Sequence, residues 1–397
     1  MKMDLEKIYK SLKVGLFLSF LVLFLAGGCA DEPQSTSDGP DDQKVLAQFK
    51  ISKDGYPILL PVTFKDKEYL FLLDTGCSHT VFDTSFKHKL GNVKKVKRAL
   101  TAGNRIVAEL FDAPEAFLGP LNVKDCGEVA CFDLKMLQSV IGRKVSGLIG
   151  MNFLKKHVVQ IDFDKGTLSF LQPQEQQRSQ WGNELPISYN PLGIPQITGN
   201  IYDSIKVDFW IDTGANSTGG LSSDIFDQIL SEKELKTSEI LFATASGVIR
   251  QREIRIDSLS VGSFKYQYLI FGEGNWSYLG LSFLSRHGVT LDFPNNRIYL
   301  KKGKGFKKDD ETDMSGLHLL HISNKTVVYS VDEGSPAQKA GIKAKDIILK
   351  LNDKDANQYD ISELRRLLMS RDGHKIMMTI KQGDDVKDVS FLLKKKI

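Results

Sequence analysis

Two stretches decide the fold: Tyr69-Leu-Phe-Leu-Leu-Asp-Thr-Gly76 and Val207-Asp-Phe-Trp-Ile-Asp-Thr-Gly214. In each of them a run of apolar and aromatic residues ends in the triplet Asp-Thr-Gly. Such a run is typical of a buried strand, and the glycine that follows is typical of a tight turn. The pattern therefore predicts that Asp74 and Asp212 lie in apolar surroundings, each at the end of a strand.

A single Asp-Thr-Gly triplet is weak evidence, because a strand followed by an Asx-type turn produces it by chance. Here, however, both copies are surrounded by matching landmarks at matching distances, which indicates an internal repeat. The matching segments are Gly55-Tyr-Pro57 with Gly193-Ile-Pro195, Leu148–Leu154 with Tyr278–Leu284, His157 with His287, and Val159–Phe163 with Val289–Phe293. The chain therefore contains two copies of one unit, roughly residues 44–172 and 183–301.

Each copy resembles a retropepsin-like lobe of the aspartic protease superfamily, and the resemblance covers about 250 residues. It implies a mainly β fold in which two retropepsin-like lobes form a bilobal aspartic protease. By position in the motif, Asp74 and Asp212 would be the catalytic pair at the lobe interface. The supporting residues would be the interlocked Thr75 and Thr213, and Gly76 and Gly214, which allow close backbone approach and supply amides to the carboxylates.

The resemblance also implies two flap hairpins that cover bound substrate and exclude water. The candidate flap residues are Thr101, Ala102, Gly103 and Asn104 in the first copy, and Thr244, Ala245, Ser246 and Gly247 in the second. Two carboxylates that face each other cannot both ionise near neutral pH, so one keeps a proton while the other acts as a base. The expected activity is hydrolysis of peptide bonds in peptides or proteins, without a cofactor.

Two other functions remain open from the sequence. The same fold could be a catalytically silent receptor that only binds peptides. Alternatively, the chain could be a hydrolase that uses Cys77 as nucleophile with His79, its one obvious partner, although packing is the favoured role for Cys77.

Residues 310–397 carry a different pattern. The stretch Glu333-Gly-Ser-Pro-Ala-Gln-Lys-Ala-Gly-Ile342, together with Lys343–Asn352, resembles a PDZ domain of the type associated with bacterial proteases. This resemblance implies a groove that takes an extended peptide as an added strand. The groove residues would be Gly316, Leu317, His318 and Leu319, bordered by the amphipathic segment Ile361–Met369. A PDZ fold that only packs against the protease is the alternative.

The N-terminus indicates export. Lysines precede an apolar run from Val14 to Gly28, which is short for a transmembrane helix. The run ends in Leu25-Ala-Gly-Gly-Cys29, which resembles a bacterial lipoprotein box; an ordinary signal peptide or a membrane anchor is the alternative. We therefore expect a signal peptide at 1–28, lipidation of Cys29, a disordered polar tether at 29–43, and an extracytoplasmic protein held at the bacterial cell envelope by its lipid.

Composition narrows the remaining possibilities. The 53 basic and 49 acidic side chains nearly balance, giving a net charge of +4 that provides no basic surface for nucleic acid. Cysteine, histidine and carboxylate residues show no metal-site spacing, so we expect no metal. Cys126 and Cys131 are close enough in sequence either to form a small disulfide or to remain two free thiols.

We predict that the substitution Cys29→Ser moves the protein from the membrane fraction to the soluble fraction, because the tether offers no other apolar anchor. Fractionation of cells expressing each form measures the distribution, and mass spectrometry detects a lipid joined to Cys29 by a thioether. Membrane retention of the variant would instead indicate that the apolar run itself is the anchor.

Overall fold

Strands that bury every second residue dominate the folded chain. Pro195–Ile201 and Ile205–Ile211, for example, alternate between buried and more exposed positions along their whole length. The computed structural model describes residues 44–53, 57–100, 105–174, 179–244 and 247–397, all within one unit. The predicted signal peptide, Cys29 and the tether at 29–43 lie outside the described residues, as do 101–104, Ala245 and Ser246.

The first lobe contains twelve strands, two short α-helices and two 3-10 turns in its described residues. The strands are β1 (Val45–Lys50), β2 (Leu59–Phe64), β3 (Lys67–Leu73), β4 (Val81–Asp83), β5 (Lys95–Leu100), β6 (Arg105–Asp112), β7 (Ala116–Leu118), β8 (Leu121–Asn122), β9 (Glu128–Phe132), β10 (Val145–Ile149), β11 (Val158–Asp162) and β12 (Thr167–Leu171). The helices are α1 (Lys135–Ile141) and α2 (Met151–Leu154), and the 3-10 turns are Thr84–Lys89 and Val123–Cys126.

The second lobe repeats this order. Its strands are β13 (Asn183–Pro186), β14 (Ser188–Tyr189), β15 (Pro195–Ile201), β16 (Ile205–Ile211), β17 (Gly219–Ser222), β18 (Thr237–Thr244), β19 (Gly247–Ile256), β20 (Leu259–Val261), β21 (Phe264–Tyr266), β22 (Leu269–Gly274), β23 (Tyr278–Leu279), β24 (His287–Asp292) and β25 (Arg297–Lys302). Its helices are α3 (Ser223–Glu232) and α4 (Leu281–Leu284), and the 3-10 turn Ser179–Trp181 precedes β13.

The C-terminal domain has six strands around two helices. They are β26 (Leu317–Ile322), β27 (Lys325–Val331), α5 (Pro336–Lys339), β28 (Ile347–Leu351), β29 (Lys354–Asp355), the 3-10 turn Ala356–Gln358, α6 (Ile361–Leu368), β30 (Lys375–Gln382) and β31 (Asp385–Leu392). The main path of its sheet runs β26-β27-β28-β30-β31, with β26 at one edge. This domain has its own core, separate from the core of the two lobes.

The two lobes have the same sheet topology. The strands of the first lobe follow the order β5-β6-β9-β4-β10-β3-β2-β7-β8, and those of the second follow β18-β19-β22-β17-β23-β16-β15-β20-β21. Each strand of the first sheet thus has a counterpart at the same place in the second, with β14 added beside β15. The mainly β fold that the internal repeat predicts is confirmed.

A third sheet joins the lobes, in the order β1-β12-β11-β24-β25-β13. At its centre β11 pairs antiparallel with β24, and Gln160 lies directly opposite Thr290. These two residues are 130 positions apart, as are the equivalent histidines His157 and His287. Since equivalent residues face each other only on a symmetry axis, Gln160 and Thr290 mark the pseudo-twofold axis that relates the lobes.

The charged segment that leads into the C-terminal domain is fixed to the second lobe rather than loose. The guanidinium of Arg286 donates to the main-chain oxygen of Lys308 and to the carboxylate of Asp310, and this ion pair is almost fully buried. Asp310 also accepts a hydrogen bond from the amide of Ile270 at 2.9 Å. Arg255 donates to the main-chain oxygen of Asp310 at 3.0 Å. The segment therefore holds the C-terminal domain in a defined place.

No helix within the described ranges is long and apolar enough to cross a membrane.

We predict that Arg286→Met lowers the free energy of unfolding by roughly 3–5 kcal/mol, because it leaves the Asp310 carboxylate buried without its partner. Urea unfolding monitored by circular dichroism measures the loss. The matched control is Arg250→Met. Arg250 pairs with Glu239 at 2.8 Å on the solvent-exposed surface, so removing this ion pair should lower the free energy of unfolding by less than about 1 kcal/mol. Equal losses in the two variants would contradict the assignment of Arg286 as the clamp.

Candidate active site

Parallel strand pairing places each aspartate. Strand β3 pairs with β10, and the Asp74 amide donates to the Ile149 carbonyl at 3.0 Å. In the second lobe β16 pairs with β23, and the Asp212 amide donates to Leu279 at the same distance. Gly150 follows β10 and Gly280 follows β23, and each lies against the loop after its aspartate. A Cβ atom on Gly150 would be 2.2 Å from a main-chain oxygen of that loop, and one on Gly280 would be 2.3 Å from the equivalent oxygen. The lobes therefore fix their aspartates in the same way.

Thr75 and Thr213 exchange hydrogen bonds between the lobes. Each threonine amide donates to the hydroxyl of the other threonine at 3.0 Å. The Thr75 hydroxyl in turn donates to the Ile211 carbonyl at 2.6 Å, and the Thr213 hydroxyl donates to Leu73 at 2.9 Å. Both threonines are fully buried. Four hydrogen bonds therefore lock the two Asp-Thr-Gly turns against each other, in the interlocked arrangement that the family resemblance implies.

The two carboxylates meet because each lies against the glycine of the opposite lobe. A Cβ atom on Gly76 would be 2.6 Å from Cγ of Asp212, and one on Gly214 would be 2.6 Å from Cγ of Asp74. No side chain larger than hydrogen fits at either position. The Gly214 amide also donates to Oδ1 of Asp212 at 2.9 Å. The structure thus brings together all six residues of the two triplets.

The surroundings of the pair favour its protonated form. Burial raises the pKa of Asp74, and the nearby charge of Asp212 raises it further, while the amides of Gly76 and Cys77 act in the opposite direction. Burial also raises the pKa of Asp212, against the amides of Gly214 and Ala215. Since removing the first proton makes removing the second harder, the two carboxyl groups titrate as one unit. The pair can therefore hold a shared proton near neutral pH.

Cys77 and His79 do not form a nucleophile–base pair. The Cys77 thiol donates to the main-chain oxygen of His79 at 3.1 Å, whereas the His79 ring bonds to the Ser78 hydroxyl at 2.9 Å. Burial and the neighbouring Asp74 raise the pKa of the Cys77 thiol, so its nucleophilic thiolate form is disfavoured. The Cys77 side chain packs against a hydrophobic cluster that includes Leu72 and Leu148. These contacts support packing, the role that the sequence analysis favoured for Cys77.

The candidate flaps lie at the tips of two equivalent hairpins. The last residue pair between strands β5 and β6 is Leu100 with Arg105. Thr101 to Asn104 connect these two residues in the sequence and lie outside the described residues. The last pair between strands β18 and β19 is Thr244 with Gly247. Ala245 and Ser246, which come between them in the sequence, also lie outside the described residues. Each hairpin forms one edge of its sheet. Their role in covering substrate stays a prediction.

Cys126 and Cys131 are free thiols. Cys126 donates to the Glu128 carbonyl at 3.4 Å, and Cys131 is buried in strand β9. Of the two alternatives that the sequence left open, the structure therefore has the pair of thiols. Across the described part of the chain, no three histidine, cysteine or carboxylate side chains cluster as a metal site would require.

One supporting residue escaped the sequence analysis. Asn152, directly behind the first aspartate, accepts from the Thr80 amide at 2.7 Å and donates to the Glu128 carbonyl at 2.7 Å. It thereby ties the loop that follows Asp74 to strand β9. The equivalent position in the second lobe is Ser282, which binds the Asn216 carbonyl at 2.6 Å. The repeat itself held the only signal: both positions are polar within an otherwise apolar segment.

The predicted PDZ residues stand at the start of strand β26. Gly316 adopts a positive φ of 78°, which favours glycine, and the Leu317 and Leu319 side chains enter the core of the C-terminal domain. His318 bonds through Nε2 to the Asp332 carboxylate at 2.7 Å, and Lys396 donates to the same carboxylate at 2.7 Å. The histidine thus belongs to a polar cluster beside the strand.

Comparison with known proteins agrees with both halves of this description. Residues 60–153 match the family model described as aspartyl protease, and residues 327–382 match that of the PDZ domain. The matched part of the first lobe contains Asp74 and the strands that hold it.

Two similar curated proteins are staphylococcal and carry the name probable CtpA-like serine protease. The Staphylococcus saprophyticus protein is 29% identical over 115 residues, which is 28% of this chain and 23% of that protein. The Staphylococcus aureus protein is 28% identical over 88 residues, which is 22% of this chain and 18% of that protein. The matches span less than a quarter of the length of these relatives, so the serine protease activity in their names belongs to them alone.

Similar solved structures include a retropepsin-like aspartic protease from Rickettsia conorii, which is 25% identical, with 30% of this chain and 89% of that chain covered and a TM-score of 0.25. Another is an aspartic proteinase from Irpex lacteus, which is 15% identical, with 65% and 97% covered and a TM-score of 0.41. On the two family matches, this chain carries an aspartyl-protease-like domain and a C-terminal PDZ domain, and the second lobe repeats the sheet topology of the first.

Proposed function

We propose that the protein is an aspartic endopeptidase that hydrolyses peptide bonds with water activated by Asp74 and Asp212. The observation that carries this proposal is the reciprocal packing of the two triplets, in which each carboxylate lies 2.6 Å from the Cβ position of the opposite glycine. A single chain supplies both carboxylates, so one molecule contains a complete pair. The raised pKa of both groups supports a proton shared between them.

The reaction needs one carboxylate and one carboxylic acid. The ionised group accepts a proton from water as its oxygen attacks the scissile carbonyl carbon. The protonated group donates to the carbonyl oxygen, which becomes a hydroxyl of the tetrahedral intermediate. As the carbon–nitrogen bond breaks, the group that took a proton from water gives it to the leaving amine. A hydroxyl of the intermediate returns its proton to the other carboxylate, which restores the shared-proton state. The roles of acid and base belong to the pair as a unit.

Location and substrate choice extend this proposal. The lipoprotein-like box at Cys29 supports a position outside the cytoplasm, attached to a bacterial envelope membrane through lipid. The PDZ domain supports recognition of extended peptide or protein segments besides those in the cleft. We therefore assign the protein to protein turnover or processing in the cell envelope.

A catalytically silent peptide receptor is the second candidate. It is favoured by Cys77 and Ala215, which follow the two triplets and offer the carboxylates no side-chain hydroxyl. Turnover of a peptide substrate separates the two functions, because a receptor would bind the peptide and leave it intact.

We expect Asp74→Asn and Asp212→Asn each to lower kcat/KM by roughly 10²–10⁴-fold, since either change removes the shared proton. Cleavage of an unfolded test protein, followed by mass spectrometry, measures the loss. The matched control is Asp208→Asn, an exposed aspartate of β16 that accepts from Thr198 at 2.6 Å. It should retain activity. A statine-containing peptide, which mimics the tetrahedral intermediate, should inhibit the unmodified protein; full activity in either dyad variant would contradict the mechanism.

We also expect Asp74→Asn to stabilise the protein increasingly as pH rises from about 4 to about 8. The ordinary pKa is 3.8, and the folded state raises it, so over this range the unfolded chain loses a proton that the folded chain keeps. Unfolding of the unmodified protein therefore becomes easier with rising pH, whereas asparagine does not titrate. Thermal unfolding should show a Tm advantage of roughly 2–4 °C for the variant at pH 8 and little difference at pH 4.

A Tm difference that is the same at both pH values would contradict a buried pair whose pKa is raised in the folded state. Asp208→Asn again serves as the control, because its exposed carboxylate should give no such trend.

A further inference from the structure

The peptide groove of the PDZ domain lies between strand β26 and helix α6, and another part of the same chain already covers it. Helix α1 of the first lobe packs directly on β26, the edge strand of the PDZ sheet. An edge strand leaves one row of main-chain groups unpaired, and an added peptide strand would need that row. The contact therefore lies where a ligand would pair.

The junction is tight at the end of α1. A Cβ atom on Gly142 would lie 2.9 Å from a methyl carbon of Ile361 in α6, and 3.4 Å from Cβ of His321 in β26. Gly142 has a φ of 73° and ends the helix in the left-handed conformation. The end of α1 thus inserts between the two elements that border the groove.

Arg365 completes this junction from the groove helix. Its guanidinium donates to the Leu319 carbonyl of β26 at 2.7 Å and to the Val140 carbonyl of α1 at 2.8 Å. One side chain thereby satisfies an acceptor of the groove strand and an acceptor at the end of the covering helix. Leu320, next along the strand, is only 5% exposed although it does not belong to the core of the C-terminal domain.

The upper end of the groove, where PDZ domains take a terminal carboxylate, is filled as well. Oδ1 of Asp313 accepts from the amide of Ser315 at 2.9 Å and from the amide of Gly316 at 2.6 Å. The next amide, of Leu317, donates to the Ser315 hydroxyl at 3.0 Å. An internal carboxylate therefore occupies the amides that would otherwise bind the end of a peptide.

Helix α1 also reaches the protease cleft. It contacts β10, which holds the backbone of Asp74, and β18, the outer strand of the second flap hairpin. Ile141 in the helix and Leu134 just before it are buried in the same cluster as Leu72 and Leu148, beside the first aspartate. A movement of α1 would thus change contacts at both the PDZ groove and the protease cleft.

We propose that residues 135–142 are the resting occupant of the PDZ groove and that an extended peptide must displace them to bind. Because Asp313 holds the terminal-carboxylate amides, the displacing ligand is an internal segment of an unfolded chain, recognised by strand pairing along β26 and not by its C-terminus. Since α1 contacts the cleft elements, binding in the groove alters the protease lobe. This deepens the proposed function of the PDZ module and rests on it.

The test traps the contact between groove and helix. In an Asp74→Asn background, which does not consume the probe, Gly142→Cys and His321→Cys place two thiols with Cβ atoms about 3.4 Å apart. This separation is close to the roughly 3.5–4.5 Å typical of a disulfide. We expect oxidised glutathione to join them rapidly. A mixture of random decapeptides at saturating concentration should slow this cross-linking at least tenfold, and decapeptides with free and with amidated C-termini should act equally.

Each single-cysteine variant is the control for pairing with native thiols. Failure of a folded double variant to cross-link, or cross-linking that the peptides leave unchanged, would overturn the proposal. A tenfold advantage of free-acid over amidated peptides would show that Asp313 does not close the site. Because cross-linking requires no catalysis, these outcomes are independent of whether the protein is a protease.

A second measurement avoids the strain that cysteine brings to the left-handed Gly142. Hydrogen exchange of the complete chain should show protection of amides in residues 138–142 and in β26, and Arg365→Ala should raise exchange in both segments together. Arg365→Lys, which keeps the charge but reaches a single carbonyl, should have an intermediate effect. Unchanged exchange in Arg365→Ala would contradict the role of this residue in closing the groove.

Discussion

The hydrogen bonds exchanged by Thr75 and Thr213 are the constraint on which the rest of the protease domain depends. Each hydroxyl accepts an amide of the opposite lobe and donates to a carbonyl in the strand before the opposite aspartate. Neither lobe can complete this arrangement alone, because each supplies only half of it. The carboxylates are held in mutual proximity, despite their repulsion, by groups that do not titrate.

The two buried carboxyl groups destabilise the folded state, and the structure around them stabilises it. Two carboxyl groups with raised pKa oppose folding at neutral pH, while the six-stranded sheet that joins the lobes and the continuous hydrophobic core favour it. Two buried carboxyl groups stay close together only where the surrounding structure fixes their positions strongly. The duplication of the lobe is what provides such surroundings, since the same sheet order supports the aspartate from both sides.

The sequence predicted the parts of the molecule that repeat or follow a local pattern. The apolar runs before Asp74 and Asp212 define buried strands, and the family resemblance implies that the loops after them meet. The docking of helix α1 on strand β26 had no such signal, because α1 is too short to show a distinct pattern. The hydrogen bond between Arg365 and the Val140 carbonyl joins residues 225 positions apart, and a main-chain oxygen leaves no trace in the sequence. The role of Asp313 was hidden for a similar reason: in a charged segment, an acidic residue normally indicates exposure to solvent.

The residues on the pseudo-twofold axis carry a consequence for how the two lobes recognise each other. Gln160 and Thr290 occupy equivalent positions, yet one is an amide and the other a hydroxyl, and they bond at 3.2 Å. If each lobe were produced as a separate chain, self-association would set glutamine against glutamine or threonine against threonine at the axis. Either self-pair would lack the amide–hydroxyl bond that joins Gln160 to Thr290. A single chain that carries both lobes can place different side chains on the two sides of its own axis, which two identical chains cannot do.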